Sequence, residues 1–290
     1  MRTPKQVPPL RRPYVAGQFY EGTAEALKLQ IESCFLNNLG PRKLPTVNFH
    51  HPPKNVIGLI SPHAGYLYSG AVAAWGFFEL AKAGLPKTVI LLGPNHTGYG
   101  SGLSLMREGH WQTPLGNIQI DTHIADALLS KLDYLDVDET AHKFEHSIEV
   151  QLPFLQYLYG DKFKIVPLCF LMQDYPSATE VGNALLDVLP AHDTIVVASS
   201  DLSHYEPALQ AKQKDLSALN AITTLEASHF YKTIETQKIT ACGYAPITAL
   251  ITYAKGLNAK TQLLSYHHSG EISGNHSSVV GYASMLFKSQ

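Results

Sequence analysis

Val56-Ile57-Gly58-Leu59-Ile60-Ser61-Pro62-His63 is a continuous apolar run that stops at a serine, a proline and a histidine. It has no polar residue at alternate positions, so no face of it is prepared for water. That pattern predicts a strand covered on both sides, as in a parallel sheet packed between helices. The same grammar returns at Thr88–Leu92, which runs into LLGPNH, at Lys164–Phe170, and at Thr194–Ala198, which runs into ASSDLSH. Stretches with helical spacing separate these runs, near residues 70–82, 122–132, 148–157, 179–189 and 209–225. Upstream, Leu27, Ile31, Cys34 and Phe35 share one helical face before the stop at Gly40-Pro41. Leu103–Met106 and Trp111–Ile120, turned by Pro114-Leu115-Gly116, read as a small antiparallel excursion, and two further strands are expected at Thr261–Tyr266 and Ser278–Leu286. Strands alternating with helices predict an α/β fold: one three-layer domain over residues 14–290, its central sheet mostly parallel or mixed and flanked by helices. Residues 1–13, rich in proline and basic side chains, read as a flexible N-terminal arm.

Composition narrows the function. The 290 residues are 45% hydrophobic and only 16% charged, which excludes a disordered or solvated coiled-coil chain. A net charge of −2 leaves no electrostatic footprint for nucleic acid. Three widely spaced cysteines, Cys34, Cys169 and Cys242, do not make a disulfide framework and favour a reducing, cytoplasmic setting. No apolar run reaches ~18 residues, so neither a membrane span nor a signal peptide is expected. Histidine stands out, with 14 copies in a chain poor in other charge.

The position of those histidines carries the chemistry. His63, His96 and the pair Asp201 and His204 each fall just past a predicted buried strand. In an open parallel sheet those strand ends face one crevice, where ligands bind. Bringing imidazoles together there is most simply explained by a metal, although a loop histidine held only by hydrogen bonds is the plainer reading of each alone. Asp201 and His204, three residues apart, suit a carboxylate orienting an imidazole or an acid/base pair, unless Asp201 simply caps a following helix. Cys242 precedes a helical pattern, where unpaired amides favour a thiolate that serves as metal ligand or nucleophile. Cys34 and Cys169, in a helical apolar face and a strand, read as inert core thiols. Glu145, His146 and Glu149 open a further helical stretch that points into the crevice or leaves its glutamates at the surface. His267 or His268, with His276, border the same pocket if strand 261–266 ends there, while residues such as His142 and His192 read as structural. Phosphate loops, dinucleotide fingerprints, nucleophile elbows and H-E-x-x-H are all missing, which argues against nucleotide and serine-hydrolase chemistry.

The ordered motifs VAGQFY, ISPHAGYLYSG, LLGPNHTGYG, TPLGNIQID, EHSIEVQLPFL, VASSDLSHYE, CGYAPI and SSVVGYA resemble the Memo family, known as system protein B of the AmmeMemoRadiSam set. The resemblance implies a fold like that of the class III extradiol, LigB-type non-haem iron dioxygenases. In those enzymes two histidines and a glutamate hold Fe(II). In Memo proteins the matching positions are two histidines and a cysteine, here His63, His96 and Cys242. Asp201, His204 and His146 then match neighbouring polar residues of the pocket, in catalytic roles. Exchanging a carboxylate for a thiolate changes the metals that fit, so Fe(II) or Cu is expected, with Zn as a third fit. The resulting expectation is a metal-dependent, dioxygenase-like oxidoreductase acting on a small-molecule substrate, with a radical-SAM partner and no nucleic-acid or membrane partner. Two other readings stand beside it: a cysteine-nucleophile or thiol-redox enzyme without metal, built on Cys242, and a peptide- or phosphopeptide-binding module using the same pocket.

Overall fold

A computed structural model describes residues 8–189 and 193–289, so residues 1–7 of the expected arm and His192 lie outside it. The strands are β1 Leu10–Arg11, β2 Gly58–Ser61, β3 Thr88–Pro94, β4 Leu103–Leu105, β5 His110–Thr113, β6 Gly116–Gln119, β7 Asp136–Val137, β8 Lys164–Phe170, β9 Thr194–Ser199, β10 His204–Glu206, β11 Lys260–His268 and β12 Val279–Lys288. The helices are α1 Ala24–Leu36, α2 Tyr66–Ala83, α3 Thr122–Leu129, α4 Thr140–Lys143, α5 Leu152–Tyr159, α6 Tyr175–Val188, α7 Ala208–Thr223, α8 Ala227–Gln237, α9 Tyr244–Gly256 and α10 Gly270–Ser273.

Nine strands form one mixed sheet in the order β10-β12-β2-β9-β3-β8-β4-β7, with β11 paired to β12, and β1-β5-β6 form a small second sheet. The centre, β2-β9-β3-β8, is parallel throughout. Antiparallel β12 and β4 cover its two sides. Because side chains alternate along a strand, neighbours in sequence enter opposite layers. Leu59, Val89, Leu91, Ile165, Ile195 and Val197 enter a core shared with α1, α2, α5 and the small sheet. Ile60, Ile90, Leu92, Val166, Leu168 and Val196 enter the other, against α3, α6, α7, α8 and α9. Each fully buried Val, Leu, Ile or Phe contributes about 1.5–3 kcal/mol, which is why both faces of these strands read as apolar. Close approach of α2 depends on a small residue: a Cβ at Gly76 would sit 2.3 Å from Leu59 Cδ1.

Three local features depart from the sequence reading. The helix expected at 148–157 begins as a 3-10 turn, Glu149–Gln151, before α5, whose first turn accepts Pro153. Helix α8 shows little apolar pattern in its sequence because its buried face is thin, formed by Ala227, Phe230, Thr233 and Ile234. The described part of the arm is anchored: β1 pairs in parallel with β5, and Arg11 is buried. A buried guanidinium needs a partner, and Arg11 has one in Glu149. Among the described residues, no helix is long and apolar enough to cross a membrane.

Candidate metal centre

The C-terminal ends of β2, β9 and β3 lie side by side and open on one crevice. β2 runs on to His63, β3 to His96 and β9 to Asp201. A fourth contribution, His146, comes from the loop between α4 and α5. Ring centroids of His63 and His96 are 5.1 Å apart, those of His63 and His146 5.4 Å, and those of His96 and His146 4.6 Å. One ring nitrogen from each of the three lies within 4.8 Å of the other two, close enough that the three could hold a single ion. His63 is buried, while His96 keeps a third of its side chain exposed, so the crevice opens on the His96 side.

Hydrogen bonds decide which nitrogen each ring offers. Ser199 Oγ donates its one proton to the Ser147 carbonyl, at 2.6 Å, and accepts from Gln151 Nε2, at 2.8 Å. Its contact with His63 Nδ1, at 2.9 Å, is therefore one in which the imidazole donates. That leaves His63 Nε2 bare. His96 Nδ1 lies 2.9 Å from Glu145 Oε1 and donates to it, so the His96 Nε2 lone pair is free as well. His146 Nδ1 lies 3.3 Å from the same carboxylate oxygen, and the His146 ring packs on Phe19. A carboxylate or hydroxyl behind each imidazole is the usual support of a metal-binding histidine.

Cys242 joins this group through His63, with its Sγ 3.1 Å from His63 Nε2. The thiol also accepts the Asp201 N–H at 3.3 Å. Glycine must follow it, since a Cβ at Gly243 would sit 2.4 Å from the Ser199 carbonyl oxygen and push the start of α9 off the end of β9. Asp201 Oδ1 accepts the His63 backbone N–H at 2.8 Å and the Asp201 carbonyl accepts the Cys242 backbone N–H at 3.3 Å, so this residue braces the loop of His63 through its carboxylate and that of Cys242 through its backbone. It caps no helix, because the chain continues as β10 before α7 begins at Ala208. His204 is turned toward Thr240, with its backbone N–H on Thr240 Oγ1 at 2.7 Å and Nδ1 on the Thr240 carbonyl at 2.9 Å, and no hydrogen bond joins it to Asp201. Asp215, buried on α7, accepts the Ser203 N–H at 2.9 Å and holds that loop in place. His267 pairs with Glu271, and the His268 ring meets His276. Those three histidines make a separate cluster. Both glutamates for which a surface position was considered, Glu145 and Glu149, are buried.

Burial sets the charge states. It pushes His63 well below the usual imidazole range, and neighbouring His96 and His146 push in the same direction. His146 falls to about 4, mainly by burial, although Glu145 opposes the shift. Burial, with help from Asp201, holds the Cys242 thiol well above its ordinary value. Asp201 is raised to about 6 by burial, against the opposing His63 N–H bond. Burial would also raise Glu145, but the bond and charge of His96, His146 and the Ser147 N–H prevail and hold it near 2. In this setting the His63 and His146 imidazoles are neutral, as metal ligands must be, and the thiol is protonated until a cation displaces its proton.

One prediction arises beside the site. His142, buried under Arg11, is lowered to about 3, first by burial and then by the Arg11 charge. A depressed imidazole contributes stability that is complete above the unfolded value of 6.5 and is lost as pH falls toward 3. In His142→Phe, the slope of unfolding free energy against pH between 6.5 and 3 is expected to drop by the equivalent of one proton, about 1.4 kcal/mol per pH unit. Urea titrations at several pH values read this slope directly.

Comparison with known proteins agrees with the fold and the family resemblance. Residues 11–286 match the family described as Memo-like protein. A MEMO1 family protein of Methanopyrus kandleri is 47% identical over 281 residues, covering 96% of this chain and 99% of its own. MEMO1 family proteins of Sulfurisphaera tokodaii and Sulfolobus acidocaldarius are each 45% identical, with the same coverage. Among solved structures, an uncharacterized protein from Escherichia coli K12 shares the fold with a TM-score of 0.53 at 14% identity, covering 80% of this chain and 99% of its own. With its strand-end histidines, its cysteine at the start of α9 and nearly full-length identity to these relatives, the chain belongs to the Memo family.

Proposed function

We propose that this protein holds a redox-active first-row metal, Fe(II) or Cu, in the crevice and uses it on O₂ or a small organic substrate. The carrying observation is the meeting of His63, His96 and His146 at donor spacing, with Cys242 Sγ 3.1 Å from His63 Nε2. His63, His96 and Cys242 are the proposed ligands, and His146 is a further nitrogen donor within reach. Imidazoles with a thiolate suit Cu, Fe or Zn better than hard cations, and of these Fe and Cu supply one-electron chemistry. Around the metal, the chain contributes proton handling. Asp201, raised to about 6 by burial, exchanges its proton just below neutral pH close to Cys242, and half-buried His204 stands at the end of the same loop.

Anaerobic titration with Fe(II) or Cu(I) is expected to give one equivalent per chain. Cys242→Ala should weaken that binding by roughly tenfold or more, the scale of losing one polar or charged interaction. Equal affinity in wild type and Cys242→Ala would remove the thiol from the ligand set. The Cys242–His63 contact also supports a second reading, in which the thiol is a nucleophile and His63 its base. Burial keeps that thiol protonated, so the reading requires an unexpected result: alkylation of Cys242 that is fast and unaffected by chelators.

A further inference from the structure

The polar groups behind the three imidazoles are unequal. His63 is held by a hydroxyl, Ser199 Oγ, and its ring is buried on all sides. His96 is partly exposed, and His146 comes from a loop with no strand behind it. Both depend on one carboxylate. Glu145 accepts the backbone N–H of His96 at 2.5 Å and the His96 ring nitrogen Nδ1 at 2.9 Å, together with the backbone N–H groups of His146 and Ser147, both at 2.8 Å. A carboxylate has only acceptor sites, so all four partners donate, and the proton on His96 is confined to Nδ1.

The backbone of Glu145 is fixed in turn. Arg11 donates from Nη2 to the Glu145 carbonyl at 2.6 Å and from Nε to the His142 carbonyl at 3.0 Å, and its Nη1 meets Glu149. Glu149 also accepts the Tyr14 and Val15 N–H groups and, at 2.6 Å, the Tyr20 hydroxyl. Phe19, from the same N-terminal segment, closes over the His146 ring. One chain of bonds thus runs from β1 through Arg11 to Glu145 and on to His96 and His146.

We infer that Glu145 is the positioning residue of the metal centre, fixing the tautomer and orientation of His96 and the placement of His146, and that Arg11 and Glu149 anchor it through the N-terminal segment. The inference rests on the metal-holding reading above for its purpose, but its geometry can be tested without any metal. Long-range ¹H–¹⁵N NMR of the metal-free wild type is expected to show the His96 proton on Nδ1. In Glu145→Gln the carboxamide keeps one acceptor oxygen and adds an N–H₂ donor, so His96 is expected to become a mixture of tautomers while His63, held by Ser199, is unchanged. The Kd for Co(II) should rise roughly 10- to 100-fold, the usual cost of removing such a partner. Arg11→Lys keeps the charge but not the directed donors, and is expected to broaden the His96 and His146 signals and weaken Co(II) by about tenfold.

A wild-type His96 that carries its proton on Nε2 would overturn the inference, and needs no variant to be seen. So would a Glu145→Gln protein in which His96 keeps Nδ1–H and Co(II) binds within about twofold of wild type, well short of the usual partner effect. Wild type with the expected tautomer but no Co(II) binding would instead remove the metal reading and leave the positioning role intact.

Discussion

His63→Ala is expected to lower the affinity for Co(II) or Fe(II) by roughly 100-fold, the largest loss from any single ligand. The size follows from four-donor zinc sites, which bind with about 10–16 kcal/mol, so that one donor is worth about 3 kcal/mol. His63 leads because it is the shared member of the site: it neighbours His96 and His146, and Cys242 reaches the group through it. The buried ring also fills space between Ser199 and Cys242, so its removal takes one partner from each. Isothermal titration with the metal alone measures the effect, and His63→Gln checks that it is not a cavity effect. If His63→Ala binds as tightly as wild type, the crevice is not the metal site.

Glu149→Ala is expected to be the most damaging change to stability, by about 3–5 kcal/mol, because it leaves the buried Arg11 guanidinium without its counter-charge. Four further acceptances, from Tyr14, Val15 and Tyr20, are lost with the carboxylate, so the segment that carries Phe19 comes loose from the 142–149 loop. Chemical denaturation at neutral pH measures the loss. The double variant Arg11→Met with Glu149→Leu separates two contributions. Replacing a buried ion pair by apolar groups of similar volume is often close to neutral, so much of the lost stability should return. A single Glu149→Ala change costing under about 1 kcal/mol would show that water reaches Arg11, as at an exposed ion pair.

The sequence exposes those parts of the site that follow directly from sheet geometry. His63, His96 and Asp201 follow apolar runs, and a parallel sheet buried on both faces forces such runs to end at one crevice. Cys242 was legible for a different reason, since it opens a helical pattern with Pro246 in its first turn. His146 reads from its own residues only as one member of a polar stretch, and it is the Memo resemblance that adds it to the pocket. Its loop begins no strand, and its place beside His96 comes from a long-range bond between Glu145 and the end of β3. The expectation of a flexible arm over residues 1–13 fails at Arg11 because basic residues among prolines look the same whether they dangle or are buried. A signal is present in the two glutamates, Glu145 and Glu149, of an otherwise apolar stretch, but nothing local connects them with Arg11, 138 residues before Glu149. Asp201 and His204 show the opposite failure. Their spacing of three suggested a helical turn, and the chain instead turns into β10, sending the two side chains to different partners.

The long spans that close the crevice also order its assembly in time. The Arg11–Glu149 pair spans 138 residues, the His63–Ser199 bond 136, and the His63–Cys242 contact 179. Contacts of such separation are made late, after the costly closure of large loops. A chain emerging from the ribosome has His63 and His96 long before it has Ser199 to orient one of them or Cys242 to join them. Premature capture of a soft metal by the early histidines would therefore meet ligands that are not yet aimed. If the crevice holds a metal as proposed, loading it belongs to the finished fold, and refolding in the presence of Cu or Zn is expected to be slower than refolding without it.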